Sequence, residues 1–171
     1  MKIVTMAAVA ALLGLSTTAF AQGVNDAQIA SIVVTANQVD IDAGRLAQIT
    51  STNADVKAFG RMMVDQHTGV NKSATELVTR LKVTPQDNPT SQSLKSGGDA
   101  NVAQLKKLTG AAFDKAYIDH EVAYHQAVLD AVDKTLIPGA KNDELKALLV
   151  KVRPAFVAHL AHARELAKHL Q

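Results

Sequence analysis

The stretch Val56–Leu81, VKAFGRMMVDQHTGVNKSATELVTRL, sets Val56, Phe59, Met63, Val70, Ala74, Leu77 and Leu81 at steps of three, four and seven. That spacing puts them all on one side of a helix, whereas a half-buried strand would alternate at every second residue. Over such a length the reading is an amphipathic helix with a single apolar stripe. One residue interrupts the stripe. His67 stands between Met63 and Val70, where a helix packed on a core would place another apolar side chain.

The neighbouring segments extend the same pattern. Upstream, a Ser51-Thr52-Asn53 turn separates this helix from one expected over about Asp26 to Thr50, with Asn25 as N-cap and Gln28 in capping-box spacing. Its stripe is Ile29, Val33, Ala36, Ala43 and Ala47, and so short a turn makes the two helices antiparallel neighbours. Downstream of Val83 the composition shifts to Pro85, Pro89, Ser91, Ser93, Ser96, Gly97 and Gly98, read as a crossover with one or two short helical turns closed by Gly110. A third long helix follows from about Ala111 to Lys134, with Phe113, Tyr117, Val128 and Val132 inward. Pro138-Gly139 is expected to turn the chain. Asn142 then caps a fourth helix to about Leu170 along Leu145, Leu149, Val152, Phe156, Leu160 and Ala163, with a bend at the internal Pro154. No alternating β-branched run competes. The expected fold is all-α, a ferritin-like four-helix bundle with a long crossover between helices 2 and 3.

Composition narrows the chemistry. The chain of 171 residues has no Cys, so disulfides, thiolate metal sites and Cys nucleophiles are excluded. A formal net charge of +2, no basic run longer than Lys106-Lys107 and few aromatics argue against nucleic acid as a partner. At the start, Lys2, the apolar stretch Ala7 to Leu15 and Ala19-Phe20-Ala21 match a signal peptide over residues 1–21, with a mature domain over 22–171. The expected location is therefore outside the cytoplasm, periplasmic or secreted, with peripheral association with the outer membrane left open. No segment of the mature chain has the ~18 apolar residues of a transmembrane helix. No pattern identifies a protein partner or a homo-oligomer.

Most charged residues, among them Asp42, Asp65, Asp119, Asp130, Asp133 and Lys151, fall on the faces expected to meet solvent. Five ionisable residues do not: Asp40, His67, Glu121, His125 and His159 all lie within the apolar stripes. Glu121 and His125 are one turn apart and can face inward together. Counting from the expected turns at ~1.5 Å per residue, Asp40, His67, His125 and His159 fall at similar heights near mid-bundle. Imidazoles and carboxylates converging from facing helices are what a transition metal requires, with zinc, copper or iron as candidate ions. The alternative is a metal-free network in which charged histidines pair with Asp40 and Glu121, completed by the Tyr117 and Tyr124 hydroxyls. Met63 could approach as a soft ligand, but core packing is its ordinary use. His120 falls on a flank, and His162 and His169 on the solvated stripe of Lys151 and Glu165.

Several phrases resemble an exported bacterial family. They are Ala36-Asn37-Gln38-Val39-Asp40 with Gly44-Arg45-Leu46-Ala47, Val56 to Thr68 with Asn71, Leu105 to Ile118 with His125, and Arg153-Pro154 with His159-Leu160. The family is domain of unknown function 4142, whose members are often labelled outer membrane proteins. The resemblance covers nearly the whole mature chain and implies a ferritin-like helical bundle without an established activity. It carries the family's acidic position onto Asp40 and its histidines onto His67, His125 and His159. The family commonly has Asp immediately before the second-helix histidine; here Gln66 stands there, with Asp65 one position earlier.

A di-iron carboxylate centre would need Glu-x-x-His on two helices, yet Val64 precedes His67 by three and Phe156 precedes His159 by three. A mononuclear or His-rich site fits better than a ferroxidase. No nucleophile constellation or phosphate-binding Gly-rich loop supports an enzyme, although a metal with an open coordination position could hydrolyse. The competing function is a non-catalytic structural or stress-associated protein with a metal-free polar core.

Overall fold

The computed structural model describes residues 23–170; the expected leader, residues 1–21, lies outside them. The helices are α1 (Asp26–Thr50), α2 (Ala54–Arg80), α3 (Pro89–Leu105), α4 (Gly110–Ala131), α5 (Ile137–Gly139) and α6 (Asp143–His169), and no strand occurs among the described residues. No helix among them is long and apolar enough to cross a membrane.

The first two helices begin where the side chains cap them. Asn25 accepts from the Gln28 backbone N–H at 2.9 Å while Gln28 Oε1 accepts from Asn25 N–H at 3.1 Å, which completes the capping box. Asn53 Oδ1 accepts from Asp55 and Val56 N–H at the head of α2. The two helices then approach unusually closely. A Cβ on Gly44 would lie 2.7 Å from the Gly60 carbonyl oxygen, and one on Gly60 would lie 2.9 Å from Ala47 Cβ. Both glycines are therefore required by the backbone approach itself.

Two expectations are corrected. The segment rich in Ser and Gly after Pro89 is not a loop with isolated turns but the 17-residue helix α3. Asn88 caps it with Ser91 in a second capping box, and Pro89 occupies the first turn, where its missing N–H costs nothing. Gly98 lies against α1, where a Cβ would meet Val39 Cγ2 at 2.6 Å. Its smallness serves helix contact rather than flexibility. The second correction concerns Pro138-Gly139, which does not turn the chain. Helical structure continues from α4 through a widened turn at Val132–Leu136, where Ile137 N–H bonds the Val132 carbonyl five residues back. This π-type register absorbs the approach of Pro138, and the chain reverses only at Ala140–Asn142. There the Asp26 carboxylate accepts from Lys141 and Asn142 N–H at 2.8 and 3.0 Å.

The α6 helix runs unbroken through Pro154. Pro154 and Val150, whose carbonyl loses its helical donor there, are both exposed, so water can satisfy the freed group. Arg153 forms a bidentate pair with Asp133 at 2.6 and 2.7 Å, fastening α6 to the widened turn.

In space α1 lies along α2 and α3, α4 lies along α6, and further contacts join α2 to α6 and α1 to α4. The core has two main parts. One gathers Ala47, Phe59, Met63, Phe113, Tyr117 and Ala163; the other gathers Ile29, Val33, Ala74, Leu77, Val132 and Leu149. On α1, α2, α4 and α6 alike, positions between these two clusters carry buried ionisable residues, Asp40, His67, Glu121, His125 and His159.

Candidate metal centre

Every one of the five residues singled out by pattern is buried. Asp40, His67, Glu121, His125 and His159 expose 3%, 2%, 0%, 1% and 2% of their surface. Helical phase brings them there: each replaces an apolar residue in its stripe, so packing the stripes inward carries the polar groups inward too. The structure brings all five together. The rings of His67, His125 and His159 have centroids 5.1 to 5.7 Å apart. Each brings a ring nitrogen within 4.8 Å of the other two, and Asp40, Glu121 and His125 converge within the same span.

The hydrogen bonds around the rim fix which nitrogens face one another. Asn37 Nδ2 donates to the Val33 carbonyl at 2.8 Å, which turns its Oδ1 toward His67 to accept from Nδ1–H at 2.7 Å. His125 Nδ1–H donates to the Glu121 backbone carbonyl at 3.1 Å, with the Glu121 carboxylate 3.3 Å away. His159 Nε2–H donates to Gln66 Oε1 at 2.7 Å. In the neutral form of an imidazole so engaged, the other nitrogen is a bare lone pair. Those atoms, His67 Nε2, His125 Nε2 and His159 Nδ1, have no hydrogen-bond partner among the described residues. Asp40 Oδ1 and both Glu121 carboxylate oxygens are equally unpartnered, and Asp40 Oδ2 lies 3.5 Å from His67 Nε2.

Burial sets the charge state. It pushes the His67 imidazole down to about 2, with His125 and His159 adding to the effect. It also lowers His159 to about 4, assisted by His125 and His162. For Asp40, burial and then the neighbouring Glu121 carboxylate raise the pKa well above the usual carboxylate range. Neutral imidazole is the form that binds metals.

The two His–carboxylate pairs of the metal-free network expected from sequence are present, His67 Nε2 with Asp40 Oδ2 at 3.5 Å and His125 Nδ1 with Glu121 Oε2 at 3.3 Å, but the tyrosines do not complete it. His67 and His159 stay neutral at ordinary pH, Tyr124 donates its hydroxyl to the Ala36 carbonyl at 3.0 Å, and the Tyr117 hydroxyl has no partner among the described residues. Met63 packs in the apolar cluster with Phe59 and Tyr117. The remaining histidines stay outside: His120 is half-buried and stacked on Tyr124, while His162 and His169 are exposed. Pattern analysis overlooked Asn37 and did not give Gln66 a role. Asn37 had a signal, since it lies one turn from Asp40 on the inward stripe; Gln66 is exposed and had none beyond its place beside His67.

An all-helical protein with a buried, three-histidine and two-carboxylate cluster at its middle is the class these features define. The chain belongs to the family described as domain of unknown function (DUF4142), whose model matches residues 13–166. No curated protein and no solved structure matches the chain.

Proposed function

We propose that this cluster holds one transition metal ion in an exported, ferritin-like four-helix bundle. His67, His125 and His159 supply nitrogen ligands and Asp40 a carboxylate oxygen. Glu121, Gln66 and Asn37 hold the imidazoles in orientation. The observation that supports this most is the set of three inward lone pairs, each left bare because its ring's other nitrogen is engaged at the rim. An unpartnered buried polar atom costs roughly 1–3 kcal/mol, and several facing one another add repulsion. A cation turns that cost into coordination. The donor set, nitrogen and carboxylate oxygen without sulfur, suits zinc, iron or copper.

The leader-like residues 1–21 support a role outside the cytoplasm. The test is elemental analysis of untagged protein recovered from the periplasm and never exposed to nickel. Near-stoichiometric zinc, copper or iron is expected, with His67→Ala, His125→Ala and His159→Ala each lowering affinity at least ~10-fold. Metal-free protein that gains no thermal stability from added zinc, copper or iron would overturn the reading in favour of a structural protein with a polar core.

A further inference from the structure

Beside the cluster lies a cavity of about 240 Å³ whose walls are almost wholly apolar, with Val33, Val128, Leu136 and Leu149 among them. Its polar lining includes Asn37, Tyr124 and the buried Asp40 and His67, with Asp40 Oδ1 and His67 Nε2 unpartnered among the described residues. Phe156, stacked on the His67 ring at 5.5 Å, lines the cavity too. Its lining also includes Thr90, Ala127 and Thr135, which are exposed, so the cavity communicates with the surface. The widened turn at Val132–Leu136 contributes three lining residues, Val132, Thr135 and Leu136.

A packing void in a core is ordinarily closed and apolar throughout. This one reaches exposed residues and is also lined by acid and imidazole groups with unpartnered atoms. We propose that it is a binding pocket for a small amphiphile, a molecule with an apolar body and a single hydroxyl or carboxyl head group. The body occupies the apolar walls and the head reaches Asp40 and His67. Scaling from a ~150 Å³ cavity that takes benzene, the volume admits about ten heavy atoms. Ligand sites commonly combine such apolar walls with a few convergent polar groups. The proposal rests on the metal reading only for what the head meets there, an ion or the two side chains themselves.

The test uses 1-octanol and 4-methylbenzyl alcohol, each compared with its parent hydrocarbon, octane and p-xylene, by ligand-observed NMR titration of the purified protein. It is run on chelator-stripped and zinc-loaded samples. Saturable binding is expected, with each alcohol at least ~10-fold tighter than its hydrocarbon, the worth of one well-made polar contact. Ala131→Trp, which fills the cavity from α4 without touching a proposed ligand, should abolish binding while leaving metal content unchanged. Val152→Trp blocks it independently from α6, and circular dichroism establishes that each variant is folded. His159→Ala should lose metal yet still bind the alcohols, because His159 does not line the cavity. Loss of metal binding in the wild type with alcohol binding intact would therefore strike the metal reading alone. No saturable binding, equal affinity for alcohol and hydrocarbon, or undiminished binding in folded Ala131→Trp and Val152→Trp would overturn the pocket.

Discussion

The seam between α1 and α2 and the layer at mid-height are built from the same helices on opposite terms. At the seam, Gly44 and Gly60 let the two backbones touch, and Ala47, Phe59 and Met63 are completely buried with no polar atom to satisfy. A few residues further along those helices, Asp40 and His67 bring unpartnered polar atoms into a region that also borders a cavity. The seam gains stability from dense apolar contact. The polar layer gives up that gain to keep imidazole and carboxyl groups aimed at one another. Well-packed apolar clusters on either side of it can carry the cost of a costly middle.

The contrast can be broken most severely at the seam. Phe59→Ala should lower unfolding free energy by about 3–5 kcal/mol, read from urea denaturation, because the surrounding helices cannot collapse into so large a gap. A loss below ~1 kcal/mol would mean that the seam is looser than its geometry implies. Gly44→Ala should cost about 1–3 kcal/mol, since the added methyl meets a backbone carbonyl that cannot step aside. A stabilised variant, as helix propensity alone would give, would contradict the close approach.

At the polar layer the expected losses are in binding and not in folding. Gln66→Leu removes the acceptor that orients His159 and should weaken metal affinity ~10-fold at unchanged stoichiometry. Unaltered affinity would show that His159 is oriented by packing alone. Acid should also find this layer first. His67 and His159 are held at about 2 and about 4, below the value of ~6.5 for an unfolded chain, so the unfolded state binds more protons as pH falls below ~6.5. Asp40 works the other way: its raised pKa lets the folded state hold a proton above pH ~3.9 that the unfolded state has lost. With two histidines against one carboxyl, the chelator-stripped protein should be less stable at pH ~5 than at pH ~6. A urea midpoint that does not change over that interval would refute the neutral, buried histidines.

Much of this was legible beforehand because it is periodic or local. Asn25 and Asn53 carry their capping chemistry within a few residues, so α1 and α2 begin where expected. His67 and His125 stand out because each breaks an apolar stripe. Gly98 misled, because a glycine required for helix contact looks in sequence like one required for a turn. Pro138 misled for a related reason: a widened helical turn can accommodate it when tertiary contacts hold the helix in place.

The amino-acid sequence by itself determined the helical class, the four long amphipathic segments and the five inward ionisable residues, since each follows from the 3.6-residue period acting along one segment. Only the tertiary structure decided which imidazole nitrogen faces inward, that Asn37 and Gln66 hold two of the rings, and that a cavity opens beside Asp40 and His67. Those features depend on distances between helices far apart in the chain, and helical phase sets the direction of a side chain without setting what it meets.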